Sequence, residues 1–390
     1  MTYKNNALLD ASLMLGRAAT SVSPWVPSVG PMRAKDIKKS WLQKQLASGF
    51  AGAELLSTSL IGGDFGTTDR QRLGLEWNEI GKRAGLPGVV FVKSTPKTAS
   101  SRLMVGPLKM ASNEVQFYRT ARHFLGDEAP KVYASNIGLG ARFLLVLEDL
   151  SERGCQTFSL ADEAPLSHLR GMMIALASLH AAFWESPKLD NELAWLDRER
   201  SRPGFKMMMA VHRRFRQRFI NGKELAAKEV CQLADVLTEY EDDVISVREQ
   251  GPHTLVHGDT HLGNTYILND GRSGLLDWQI AHRGQGLREV AYFMGTGAPI
   301  ELRRQHEKDL LALYIETLRE KGVVIDLDLD EAFDIYRFWL AYGWDAVQLT
   351  RNWEGLQSRE SMDRSWERIN AAVEDLDVAA AVKQRVLKAR

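Results

Sequence analysis

The 390-residue sequence has few cysteines and no long apolar run. Cys155 and Cys231 are its two cysteines; they lie far apart and form no CxxC pair, so the sequence predicts neither a disulfide framework nor a structural zinc site. No stretch reaches the roughly 18 apolar residues that span a bilayer. The apolar run near the N-terminus is interrupted by Asp10, which is atypical of a signal peptide. We therefore expect a cytoplasmic protein.

The sequence also lacks net charge. Fifty basic residues balance fifty acidic ones, so the formal net charge is zero. No overall field then favours nucleic acid or an anionic membrane. The local basic stretch at 212–218 is interpreted as a solvated helix face. We expect neither a nucleic-acid partner nor a membrane partner.

What is present is an ordinary globular composition, with 44% hydrophobic and 26% charged residues. Before about residue 149 the pattern predicts strands and a helix at 111–124, and after 150 it predicts mainly helices. The first 34 residues are predicted to be irregular, because they contain breakers at Pro24, Pro27, Gly30 and Pro31. We therefore predict an N-terminal extension and two domains, with the ranges 1–36, 37–149 and 150–390.

The most informative stretch is 254–278, TLVHGDTHLGNTYILNDGRSGLLDW. A short apolar strand leads to Asp259, and Asn264 follows five residues later. Two more strands flank a tight turn at 269–271, and the second ends at Asp277. This hairpin predicts that one amide and two carboxylates converge at the edge of a small sheet.

Such a set of oxygen donors suits phosphoryl transfer. A carboxylate must orient the attacking hydroxyl and accept its proton, and hard oxygen ligands must hold Mg²⁺. Asp259 fits the first role, and Asn264 and Asp277 fit the second. The alternation of His257, Asp259 and His261 is also typical of a metal-hydrolase cluster, and this alternative stays open from the residues alone.

The order HxDxxxxN followed by Asp-Trp resembles the aminoglycoside phosphotransferase and choline kinase-like superfamily. It is most similar to the ecdysteroid kinase-like branch, over roughly residues 37–350. The resemblance implies an α+β, protein-kinase-like fold of two lobes: a small β-rich N-lobe with one helix and a larger, mainly helical C-lobe. It further implies ATP and Mg²⁺ as cofactors and a small-molecule alcohol as substrate. The catalytic residue would be Asp259, and the metal ligands would be Asn264 and Asp277.

The same resemblance implies nucleotide contacts in the N-terminal half. Lys93 ends an apolar strand, where its ammonium would reach phosphates, and Glu114 would be its ion-pair partner. The small-residue loop at 62–68 would cover the phosphates with backbone amides, and 147–150 resembles the hinge that binds adenine. The other predicted nucleotide contacts are therefore Gly62, Gly63, Gly66, Thr67, Glu148 and Leu150.

Several features depart from related patterns. No Walker A sequence is present, which excludes a P-loop NTPase. Only eleven residues separate Asp277 from Glu289, too few for the long activation segment of a protein kinase. Glu289 stands where the family has an Asp, and we expect it to brace the catalytic loop with shifted geometry. The alternative function is a nucleotide-binding pseudokinase or regulatory protein of the same fold.

Overall fold

The computed structural model describes residues 2–23, 25, 30–222, 226–353 and 356–390. The chain forms two compact units. Unit 1 comprises Met1–Cys155 and the short segments Arg202–Gly204 and Asp277–Ile280; unit 2 comprises Gln156–Ser201, Phe205–Leu276 and Ala281–Arg390. The assignment of 1–36, 37–149 and 150–390 to an extension and two functional domains stays a prediction.

Unit 1 is built on a five-stranded antiparallel sheet in the order β1-β2-β3-β5-β4. The strands at 89–94 and 143–148 coincide with runs of β-branched and apolar residues, whose side chains pack well on a pleated surface. The strands are β1 Leu55–Phe65, β2 Asp69–Trp77, β3 Val89–Ser94, β4 Val132–Ile137 and β5 Phe143–Glu148.

Helices accompany this sheet. Between Met110 and Phe124 the predicted helix changes pitch, because α5 is followed by a π-helical turn at Phe117–Ala121 and a 3-10 turn at Arg122–Phe124. The helices of unit 1 are α1 Thr2–Val22, α2 Lys39–Ala47, α3 Glu79–Arg83, α4 Ala99–Val105 and α5 Met110–Gln116.

The predicted irregular structure over residues 1–34 is wrong where α1 forms. The breakers Gly30 and Pro31 lie beyond Val22, where this helix ends, so they do not interrupt it. Pro24 and Pro27 lie outside the described residues. The leucines of this segment fit a helix, a pattern that the proline spacing obscured.

The core of unit 1 lies on one face of the sheet, where α2 covers the strands. Leu42 and Leu46 of α2 are buried against apolar side chains from the strands. The strand residues in this core are Leu55, Leu75, Trp77, Val90, Val92, Ala134, Leu144 and Val146. This packing fixes β3, which carries Lys93, at the centre of the sheet.

Unit 2 is mainly helical. Its α6 has an apolar stripe at helical spacing, buries it completely, and packs against α11, while α10 packs against α12. The helices are α6 Leu166–Phe183, α7 Phe205–Asn221, α8 Lys228–Glu239, α9 Glu241–Arg248, α10 Gly286–Gly297, α11 Ile300–Glu320, α12 Leu329–Arg351, α13 Arg359–Leu376 and α14 Val378–Ala389.

Short strands of unit 2 carry the motif at 254–278. One small sheet pairs β7 with β10, and another has the order β6-β8-β9. The tight turn predicted at 269–271 is confirmed, with Gly271 at φ +85° between β8 and β9. The strands are β6 Gln156–Thr157, β7 Thr254–Val256, β8 Thr265–Ile267, β9 Ser273–Leu275 and β10 His282–Gly284.

The predicted fold class is confirmed. It is an α+β fold with a β-rich N-terminal part and a larger, mainly helical C-terminal part. Among the helices described, none combines the length and the apolar composition needed to traverse a bilayer.

Candidate active site

In unit 1, the ammonium of Lys93 is held between two carboxylates. Lys93 Nζ lies 2.9 Å from the Glu114 carboxylate and 2.9 Å from Asp277 Oδ1. Lys93 is only 4% exposed and Glu114 only 1%. Because a buried charge is costly unless it is paired, these groups hold one another in place. Three of the residues predicted for the site are thus brought together within one unit.

The charge of this cluster follows from its burial. Burial favours the neutral amine of Lys93, but the carboxylates of Asp277 and Glu114 outweigh this effect and raise its pKa. The amine therefore stays charged at neutral pH. Burial raises the pKa of Glu114 to about 7, although Lys93 opposes this shift. One ammonium thus lies between two carboxyl groups, and the charge of Asp277 raises the pKa of both Lys93 and Glu114.

Asp277 is held in an unusual backbone conformation. Its φ is +65°, in the left-handed region that non-glycine residues rarely adopt. The next residue, Trp278, is fully buried and stacks on Phe117 with ring centroids 3.7 Å apart. Phe117 directly follows α5, the helix that carries Glu114. The stack therefore ties the segment of Asp277 to the helix of Glu114, a contact that the sequence did not reveal.

The glycine-rich segment is a strand hairpin rather than the predicted loop at 62–68. Gly62 and Gly63 lie within β1, paired with β2, and the turn comprises only Gly66 to Thr68. The reason is steric: a Cβ on Gly63 would lie 2.5 Å from the Arg70 carbonyl oxygen. Here glycine permits close strand pairing, so the loop prediction was wrong for Gly62 and Gly63. Gly66 and Thr67 remain at the hairpin tip.

The predicted hinge residues lie at the end of β5 and directly after it. The amide of Glu148 donates to Lys131 O at 2.9 Å, and the carbonyl of Leu150 accepts from Cys155 N at 3.4 Å. These two backbone groups are therefore used within the fold. Asp149, which lies between them, accepts a hydrogen bond from Arg72 Nε at 2.6 Å. That ion pair fixes the hinge to β2, and no sequence signal indicated it.

In unit 2, Asp259 and Asn264 lie side by side in the loop after β7. Asn264 Nδ2 donates to the Asp259 carbonyl oxygen at 2.9 Å and lies 3.4 Å from Asp259 Oδ2. The Asp259 side chain is 35% exposed, so it is accessible from solvent. Asn264 O accepts from the amide of Leu276 at 2.7 Å, and Asp277 follows Leu276 in the chain. The hairpin therefore returns the chain to Asn264, as its spacing predicted.

Tyr292 on α10 orients the Asp259 carboxylate. Its hydroxyl donates to Asp259 Oδ1 at 3.3 Å. Burial, with the Asp259 carboxylate nearby, raises the pKa of Tyr292 well above its usual range. The phenol therefore stays protonated and can act only as donor toward this carboxylate. Sequence reasoning missed this residue, which lies 33 positions further along the chain.

Glu289 stabilises the loop that carries Asp259. Its carboxylate is fully buried and accepts hydrogen bonds from the amides of His257 at 2.8 Å and Gly258 at 2.7 Å. His180 Nε2 lies 3.2 Å from the same carboxylate. Burial opposes ionisation, but the hydrogen bond with His180 and the nearby charge of Arg288 outweigh it and lower the pKa of Glu289. Glu289 is therefore an anion that fixes the loop bearing Asp259.

The geometry of His257 disfavours the metal-hydrolase alternative. Its Nε2 lies 2.7 Å from Leu276 O, and its Nδ1 accepts from the amide of Asp259 at 3.2 Å. Both ring nitrogens are thus used to hold the loop, and neither is available as a metal ligand. His261 lies 3.6 Å from the Asp259 carboxylate and stays a neighbour of the candidate base.

Comparison with known proteins gives one family match and many similar folds. The model of the ecdysteroid kinase-like family matches residues 72–324. A putative aminoglycoside phosphotransferase from Ralstonia eutropha is 15% identical, with 89% of this chain and 97% of that chain covered and a TM-score of 0.48. Choline kinase LicA from Streptococcus pneumoniae is 11% identical, with coverages of 86% and 99% and a TM-score of 0.46. No curated protein sequence matches the chain.

The family match covers more than half of the chain, including Lys93, Glu114, Asp259, Asn264 and Asp277. The chain belongs to the ecdysteroid kinase-like family.

Proposed function

We propose that this protein is an ATP-dependent phosphotransferase that transfers the γ-phosphate to a hydroxyl group of a small molecule. The observation that carries the proposal is the buried Lys93 ammonium, held 2.9 Å from both Glu114 and Asp277. A charged lysine fixed in this way at a strand end is suited to bind nucleotide phosphates. Family membership supports the same function.

Asp259 is the proposed general base. Its carboxylate orients the acceptor hydroxyl and takes up the proton as the acceptor oxygen attacks the γ-phosphorus. A new bond joins that oxygen to phosphorus, the bond from phosphorus to the bridging oxygen breaks, and ADP leaves. Tyr292 and Asn264 hold the Asp259 carboxylate in position, so it is already oriented before substrate binds.

Asn264 and Asp277 are the proposed Mg²⁺ ligands. The amide nitrogen of Asn264 is used in a hydrogen bond to Asp259 O, which leaves its oxygen as the ligating atom. Asp277 offers a carboxylate, and both are the hard oxygen ligands that Mg²⁺ prefers. When bound, Mg²⁺ would offset the negative charge of the phosphates.

The test measures ADP formation by the purified protein with ATP and Mg²⁺ across sterols, aromatic alcohols, sugars, choline and aminoglycosides. Asp259→Asn preserves side-chain shape but removes the base, so it should lose at least about 100-fold in turnover while still binding ATP. Asp326→Asn, at an exposed position, is the matched control and should behave as wild type. Full turnover in Asp259→Asn would overturn the assignment of the base.

Two other outcomes would contradict the proposed activity. ATP binding without compound-dependent turnover across the panel would favour the regulatory, pseudokinase alternative. Failure of the wild-type protein to bind ATP would show that the Lys93 cluster is structural.

A further inference from the structure

A polar cavity lies within unit 2, beside the paired strands β7 and β10. It has a volume of about 270 Å³, solvent at its mouth included. Four arginines and two histidines contribute to its wall: Arg198, Arg248, Arg283, Arg288, His253 and His282. We call this the arginine cavity. None of these residues has a role in the proposed phosphoryl transfer.

Arginines outnumber carboxylates among the residues that line the arginine cavity. Two glutamates also line it, and one of them, Glu249, is bound 3.1 Å away by Arg200, which lies outside the lining. The other, Glu199, lies 3.6 Å from Arg248. Outside the lining, Asp190 lies 2.6 Å from Arg283, and Glu289 lies 3.7 Å from Arg288. Three of the four guanidinium groups thus have one carboxylate neighbour each, and the fourth, Arg198, is exposed.

Several cationic N–H groups of the lining have no hydrogen-bond partner among the described residues. They are Nε of Arg248, Nε of Arg283 and Nη1 of Arg288, and all three are shielded from solvent. Arg248 is only 6% exposed and Arg288 only 2%. A buried charged donor without a hydrogen-bond partner is destabilising. Such groups usually have a ligand, and an anion is the ligand that would satisfy them.

The guanidinium groups are held in place before any ligand arrives. Arg288 lies 4.0 Å from the centroid of the Tyr342 ring, and Arg248 lies 5.3 Å from the same centroid. These cation–π contacts leave the edges of the groups to form hydrogen bonds. The positive potential also acts on His253: burial, with the nearby charges of Arg198 and Arg283, lowers its pKa.

We infer that the arginine cavity binds a phosphate group, either as inorganic phosphate or on a small phosphorylated compound. Converging guanidinium groups match the several oxygens of a tetrahedral oxyanion better than a single carboxylate. The cavity also touches the catalytic loop: Arg288 Nη2 donates to Gly258 O at 3.1 Å, one residue before Asp259. The inference stands independently of the proposed kinase activity.

The experiment is isothermal titration calorimetry, which measures the binding of inorganic phosphate and, separately, of glycerol phosphate at constant ionic strength. The wild-type protein should take up one phosphate per chain. The double substitution Arg198→Gln with Arg283→Gln should weaken binding at least 10-fold. Arg359→Gln with Arg364→Gln removes the same charge from exposed positions outside the lining and should leave binding unchanged. Arg198→Gln alone, at an exposed position, provides a second variant with a lower risk of misfolding.

A Lys93→Met variant separates this site from the nucleotide site. Retained phosphate binding in Lys93→Met, together with its loss in the arginine variants, supports the arginine cavity whether or not the protein is a kinase. Tighter binding of inorganic phosphate identifies the free anion as the ligand, and tighter binding of glycerol phosphate identifies a phosphorylated compound. The inference is overturned if wild type shows no saturable binding, if the arginine variants bind normally, or if only Lys93→Met loses binding.

Discussion

Replacing Glu289 by glutamine tests how much its carboxylate stabilises the loop that carries Asp259. The Glu289 carboxylate accepts from two backbone amides, at 2.8 and 2.7 Å, and both are buried. Hydrogen bonds to charged groups contribute roughly 1.5–3 kcal/mol each. Glutamine keeps the size but has one acceptor oxygen, and its NH₂ group would face a second donor. We therefore expect the free energy of unfolding to fall by about 3 kcal/mol at neutral pH.

The local consequence is measured by hydrogen exchange of the peptide at 254–260. In Glu289→Gln the amides of His257 and Gly258 should exchange faster, and urea unfolding should give the global stability. Glu192→Gln, at an exposed position, is the matched control. Glu289→Asp keeps the charge but shortens the side chain. An intermediate effect in this variant would distinguish the contribution of the charge from that of the side-chain length. Wild-type exchange at both amides in Glu289→Gln would refute this account of the loop.

Three further predictions concern buried or crowded positions. Burial lowers the pKa of His168 from 6.5 to about 3. The free energy of unfolding should therefore fall by about 1.4 kcal/mol per pH unit as the pH drops through that window. In His168→Gln the measured plot of this free energy against pH should lose the slope that corresponds to one proton. Asp345→Asn should lower the free energy of unfolding, measured in urea, by about 1.5–3 kcal/mol, because it removes one of the two carboxylates that pair with the buried Arg216 guanidinium. Gly63→Ala should lower the melting temperature by several degrees, because its Cβ would lie 2.5 Å from the Arg70 carbonyl oxygen. Gly62→Ala should be tolerated, because the atom nearest to its Cβ would lie 3.9 Å away. Equal melting temperatures of the two variants would contradict the steric argument.

The parts of the molecule that have local signals could be predicted from the amino-acid sequence alone. The spacing of Asp259, Asn264 and Asp277 around the turn at 269–271 follows from hairpin chemistry, because turn residues fix the register of adjacent strands. The apolar stripe of α6 and the apolar run of β3 likewise identify their elements, since each repeats with the period of its own structure. The pairing of Lys93 with Glu114 came from family resemblance, and it is present in the structure.

The contacts between distant segments could not be predicted from the sequence and became visible in the folded chain. Trp278 on Phe117, Tyr292 on Asp259 and the arginine cavity each join residues that no period or turn motif links. The role of Gly63 was also decided by its partner strand, since a glycine in a loop and a glycine in a close pair are identical in sequence. Local propensity carries no information about which distant side chain fills the space beside a residue; packing and charge pairing in the folded chain settle that.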